Sequence, residues 1–85
     1  MTLNTTGWQP IELPDLGADD HPIRVSTWLT QLGEDVVAGD PVVEVLIKGI
    51  TFDVAAQVSG QLRRIDCFEN DVIEPGNVLG WLETT

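Results

Sequence analysis

The 85-residue chain repeats itself. Sliding the sequence until Gly39 falls on Gly76, a shift of 37 residues, also lays Val25 on Leu62, Trp28 on Ile65, Val36 on Ile73, Asp40 on Asn77, Val42 on Leu79 and Val45 on Leu82. Apolar positions meet apolar positions and turn formers meet turn formers in one register. Neither half is long enough to bury an apolar face by itself. The two must therefore close on each other about an approximate two-fold axis, with the core between them.

The punctuation of the chain says what those halves are made of. Ile11-Glu12-Leu13, Ile23-Arg24-Val25 and Gln61-Leu62-Arg63 alternate apolar with polar, the period of a half-buried strand. Asp15-Leu16-Gly17, Ala38-Gly39-Asp40-Pro41 and Glu74-Pro75-Gly76-Asn77 break the strands as turns. No stretch keeps a helical period for long, so the expected fold is all-β, a small antiparallel sandwich or barrel. Residues 1–8 read as a flexible leader that Trp8 could pin to the sheet, and residues 9–85 as one domain. No apolar run approaches the ~18 residues of a membrane span. The first residues lack a basic segment followed by an apolar one, so a cytoplasmic location is expected.

Charge narrows the function. Fourteen acidic residues against four Lys and Arg give a formal charge of −10, which repels nucleic acid and anionic membranes and serves either solubility or attraction to a basic protein surface. No phosphate loop, nucleophile triad or paired catalytic carboxylates stand out, so an enzyme is not expected. Asp19, Asp20 and His21 are too few and too close in sequence to make a closed metal site, and a solvated acidic loop is the expectation. Arg63 and Arg64, adjacent on a strand, are expected on opposite faces, and Trp28 and Trp81 in the core. Cys67 lies near Asp66, Glu69 and Asp71, which disfavour a thiolate, and reads as a small buried hydrophobe.

Lys48 is the only lysine. It lies in Val45-Leu46-Ile47-Lys48-Gly49-Ile50-Thr51-Phe52, two apolar runs folding back through Lys-Gly, where glycine provides the positive φ of a tight hairpin. One amine displayed at a strand reversal suggests the attachment point of a prosthetic group. The alternative is that Lys-Gly is only a good turn.

Ile11-Glu12-Leu13-Pro14-Asp15-Leu16-Gly17, Trp28-Leu29, Gly33-Glu34-Asp35-Val36, Gly39-Asp40-Pro41-Val42, Glu44-Val45, Val58-Ser59-Gly60 and Glu74-Pro75-Gly76-Asn77-Val78-Leu79 together resemble a biotinyl/lipoyl-attachment domain. The likeness is strongest to lipoyl domains of 2-oxo acid dehydrogenase acyltransferases and runs from about residue 11 to residue 83. It implies a flattened barrel-sandwich hybrid of two four-stranded antiparallel sheets with internal pseudo-two-fold symmetry. It also implies a covalent lipoyl group on the hairpin lysine, with 2-oxo acid dehydrogenase-type enzymes and a lipoate ligase as partners. Biotin is the less favoured cofactor, because biotin acceptors flank the lysine with methionine and the only methionine here is Met1. In the family the loop equivalent to Leu16–Pro22 lies beside the lysine, which makes Asp19, Asp20 and His21 partner-recognition candidates.

One departure from the family is large. Counting from Gly33 and Gly39, or back from Gly60, the family's Asp-Lys-Ala falls on Lys48-Gly49-Ile50. Gly49 therefore holds the family lysine position, and the amine comes one residue early. Leu46, Ile47 and Ile50 are also apolar where the family carries polar residues, so an oily hairpin tip is expected. Two readings follow: a swinging-arm carrier modified at Lys48, or an unmodified relative that binds other proteins through its tip.

Overall fold

The structure, a computed structural model, describes residues 7–84. Eight strands form in chain order: β1 (Trp8–Glu12), β2 (Ile23–Trp28), β3 (Asp35–Val36), β4 (Pro41–Ile47), β5 (Ile50–Ala55), β6 (Gly60–Ile65), β7 (Val72–Ile73) and β8 (Val78–Glu83). They make two four-stranded sheets, in the orders β1-β8-β6-β3 and β5-β4-β2-β7, and every pairing is antiparallel. β1 starts at Trp8, the last residue of the expected leader, which pairs with Glu83; residues 1–6 lie outside the described residues.

Exchanging β1 with β5, β2 with β6, β3 with β7 and β4 with β8 turns one sheet order into the other. The halves do not stack as two blocks. Each sheet takes two strands from each half, so neither sheet is complete without both. The 37-residue shift reaches fine detail. β2 has a bulge between Val25 and Thr27 where it pairs with β4, and β6 has one between Leu62 and Arg64 where it pairs with β8. The turns match as well: Val37 N–H donates to Asp40 Oδ2 at 2.9 Å, and Glu74 N–H to Asn77 Oδ1 at 2.8 Å. Short polar side chains that accept from the backbone three residues earlier hold both turns closed.

The repeat also predicts the core. Val25, Leu62, Val36, Ile73, Val42, Leu79, Val45 and Leu82 are all buried, joined by Ile11, Leu13 and Ile23 among others. Burying each such side chain contributes about 1.5–3 kcal/mol relative to leaving it exposed. Gly80 leaves no room for a side chain. A Cβ there would lie 2.5 Å from the Arg64 carbonyl oxygen and 2.9 Å from the Trp28 ring.

Three local expectations need correction. Trp81 is only half-buried and pairs across β1 and β6 with Pro10 and Arg64, its indole N–H donating to Asp66 at 3.1 Å. It is next in sequence to inward-facing Leu82 and so lies on the outer face. Trp28 is half-buried too, but it packs against the core and donates to the Cys67 carbonyl at 2.8 Å. Arg63 and Arg64 are both exposed, paired with Glu83 and Asp66 respectively, because the bulge interrupts the strand alternation between them. Cys67 is half-buried against the core, and burial first, then Asp71 and Asp66, pushes its thiol above the usual range.

Candidate functional site

β4 and β5 are joined by two residues. Ile47 pairs with Ile50, and the turn between them has φ of 54° at Lys48 and 78° at Gly49. Two consecutive positive φ values are those of a type I′ hairpin turn, whose twist matches that of the flanking strands. Glycine accepts such a φ freely. Lysine does not, and holding Lys48 there costs about 1–2 kcal/mol. Both turn residues are exposed, and Lys48 takes part in no ion pair among the described residues.

Partners directly across a pair of strands share a face. Val45 is opposite Phe52, and Ile47 is opposite Ile50; Val45 and Ile47 are buried. Phe52 and Ile50 therefore belong to the inward face of the hairpin, yet they remain 38% and 59% exposed. The inward face of the hairpin is thus left partly open at its tip.

The loop between β1 and β2 supplies part of that cover. Leu13 anchors it, buried and hydrogen-bonded through its backbone to Gly76 and Asn77. Asp15 Oδ1 accepts from Gly17 N–H at 2.9 Å, and His21 N–H donates to the Ala18 carbonyl at 3.0 Å. This folding carries Leu16 and Ala18 onto the core edge. Between the loop and the hairpin tip lies a pocket of about 180 Å³, walled by Leu16, Ala18, Ile50 and Phe52, with Lys48, Asp19 and His21 also at its boundary.

Asp19, Asp20 and His21 together line a hollow beside Val72 and Glu74, and of the three only Asp19 and His21 also border the pocket that Lys48 lines. The described residues hold no group of three His, Cys, Asp or Glu disposed to bind a metal. The expected oily patch is not one surface. Buried Ile47 lines the pocket beside Ile50, whereas half-buried Leu46 pairs with Thr51 and Arg24 on the outer face. Phe52 was not among the candidates. Counting strand pairs outward from a two-residue Lys-Gly turn sets it opposite Val45, and that count would have found it.

Comparison with known proteins agrees with this geometry. The biotin/lipoyl family, described as biotin-requiring enzyme, matches residues 9–82. The chain is 34% identical over 73 residues to the dihydrolipoyllysine-residue succinyltransferase component of the 2-oxoglutarate dehydrogenase complex of Bartonella vinsonii subsp. berkhoffii, covering 86% of this chain and 18% of that protein. It is 26% identical over 69 residues to the dihydrolipoyllysine-residue acetyltransferase component of the pyruvate dehydrogenase complex of Corynebacterium glutamicum, covering 81% of this chain and 10% of that protein. It therefore spans less than a fifth of the length of either curated relative. Among solved structures, the lipoyl domain of the 2-oxoglutarate dehydrogenase complex of Azotobacter vinelandii superposes with a TM-score of 0.67 at 26% identity, covering 86% of this chain and 92% of that one.

Proposed function

This chain belongs to the biotin/lipoyl-attachment family, and we propose that it is a carrier domain whose Lys48 takes a lipoyl group through an amide at Nζ. The observation that carries this reading is the setting of the only lysine: exposed, free of ion pairs among the described residues, in the two-residue turn at the tip of the β4–β5 hairpin. The site fits such a group. The turn is open to solvent at both residues, and a Cβ added at the neighbouring Gly49 would meet nothing within 4 Å.

Attachment joins the neutral amine form of Nζ, one proton having left the ammonium, to the carbonyl carbon of an activated lipoyl group; the activating group leaves with the bonding electrons, and the nitrogen gives up a second proton. A bound lipoyl group supplies a dithiolane that takes acyl groups and electrons between the active sites of partner enzymes. The chain's own residues hold the attachment point on a paired hairpin and present it to those partners. They perform no bond chemistry themselves. The partners on this reading are 2-oxo acid dehydrogenase-type enzymes and a lipoate ligase, in the cytoplasm, and the charge of −10 steers toward basic surfaces around their active sites.

A second reading keeps its own support. Gly49 stands where the family lysine is expected, and Ile50 and Phe52 are exposed beside it, as in an unmodified domain that binds proteins through its tip. Intact mass after expression with lipoate and a lipoate ligase separates the two. The carrier reading expects a lipoyl adduct that Lys48→Arg abolishes. An unmodified mass, with a known lipoyl domain modified in the same reaction, leaves only the binding module.

A further inference from the structure

We infer that the pocket between the β1–β2 loop and the hairpin tip is a resting site for the arm carried on Lys48, so that the loaded domain holds its own cofactor against Phe52 and Ile50 between visits to its partners. This rests on the carrier reading. It goes further by giving the arm a place on the domain.

The occupant follows from the point of attachment. Lys48 is itself at the boundary of the pocket, so an arm amide-linked to Lys48 starts at the pocket mouth. Tethering holds the end of a short flexible chain at about millimolar effective concentration near its anchor, enough to populate a contact that would be too weak between separate molecules. Acylation also removes the ammonium, the one lysine charge of the chain, so what lies against the pocket is an uncharged, largely apolar chain.

The pocket suits that chain in size and chemistry. It is an open hollow of about 180 Å³, room enough for a five-membered dithiolane ring laid against its apolar side, with Asp19 and His21 at its polar side. The Phe52 ring offers a surface to polarisable sulfur, with Ile50, Leu16 and Ala18 as aliphatic walls. Ile50 and Phe52 belong to the inward face yet stay exposed, and the folded arm would cover that apolar area. The displacement of the lysine thereby acquires a consequence. At position 48 the amine starts at the pocket, and moving it to position 49 shifts its origin by ~3.8 Å along the turn.

The test installs the arm chemically, which keeps it independent of recognition by any ligase. Lys48 carries the only side-chain amine, so an active ester of lipoic acid places the arm there and at the N-terminal amine, and peptide masses identify the doubly loaded product. A chain acetylated at the same two amines loses the same charges but has no arm. NMR spectra of the two are compared at the Ile50 methyls, the Phe52 ring and the Ala18 methyl. The expected result is a set of shifts beyond the acetyl control, with nuclear Overhauser contacts from dithiolane methylenes to Phe52 or Ile50. Both are expected to be lost in the Lys48→Gly, Gly49→Lys exchange and in the surface variant Ile50→Thr. Identical lipoylated and acetylated spectra at these residues would overturn the resting site. So would contacts that persist unchanged in the exchanged chain, since position 48 would then select nothing. Enzymatic loading is read separately by intact mass, so failure of the carrier reading and failure of the resting site are distinguishable.

Discussion

Exchanging the two turn residues, Lys48→Gly with Gly49→Lys, moves the amine to the family position and separates recognition from stability. Adjacent Cα atoms are ~3.8 Å apart. A ligase must bring amine and activated carbonyl within about 3–3.5 Å in line, and a misplacement of about 1 Å can cost ~100-fold in rate. The four-carbon stem absorbs much of the displacement, so the expected gain is at least about 10-fold in acylation rate, or ~1.4 kcal/mol of barrier. The fold should not notice. Both positions have left-handed φ, 54° and 78°, so the strain of one lysine moves along by one residue. A Cβ at position 49 meets open space, so no clash replaces it. The stability change should stay within about 0.5 kcal/mol, or ~4 °C in Tm. Time-resolved intact mass with lipoate, ATP and a lipoate ligase measures the rate, and thermal unfolding measures the rest. A folded exchange variant acylated no faster than the parent would refute the register reasoning.

Other perturbations test other parts of the structure. Lys48→Asn replaces a strained lysine by a residue that tolerates φ near 55° and completes an Asn-Gly turn, and should stabilise the chain by about 0.5–1 kcal/mol in urea unfolding. Gly80→Ala drives a Cβ against the Arg64 carbonyl and the Trp28 ring, neither of which can withdraw easily, and should destabilise by at least about 2 kcal/mol in the same assay. Burial, Asp71 and Asp66 raise the Cys67 thiol, so alkylation by iodoacetamide at pH 8 should be slower in the folded chain than in urea. The raised thiol also sets a sign: in the window between the ordinary and the raised value the folded state keeps a proton that the unfolded state releases. Stability should decline as pH rises through the ordinary thiol range, and Cys67→Ala should flatten that decline.

Much of the fold was legible because it is written twice. Val25 with Leu62, Val36 with Ile73, Val42 with Leu79 and Val45 with Leu82 are pairs in the repeat and are all buried. The hairpin was equally legible, since Lys48-Gly49 between two apolar runs specifies a two-residue turn by local chemistry. Strand alternation misled at Arg63 and Arg64, because a bulge adds one residue to β6 against β8 and the sequence carries no mark of where the period slips. It also misplaced Ile47 as surface, because an apolar residue near a turn is read as exposed until the opposing layer is known.

The sequence by itself determined the all-β class, the two related halves and the reversal that displays Lys48, since period, repeat and turn residues act over a few neighbouring positions. Tertiary structure alone decided that the halves interleave in both sheets, and that Leu16 and Ala18 meet Ile50 and Phe52 beside the lysine. That pocket is shared by segments some thirty residues apart. Whether an inward-facing side chain is covered depends on how far the opposite sheet and the loop extend, and no local pattern encodes that distance.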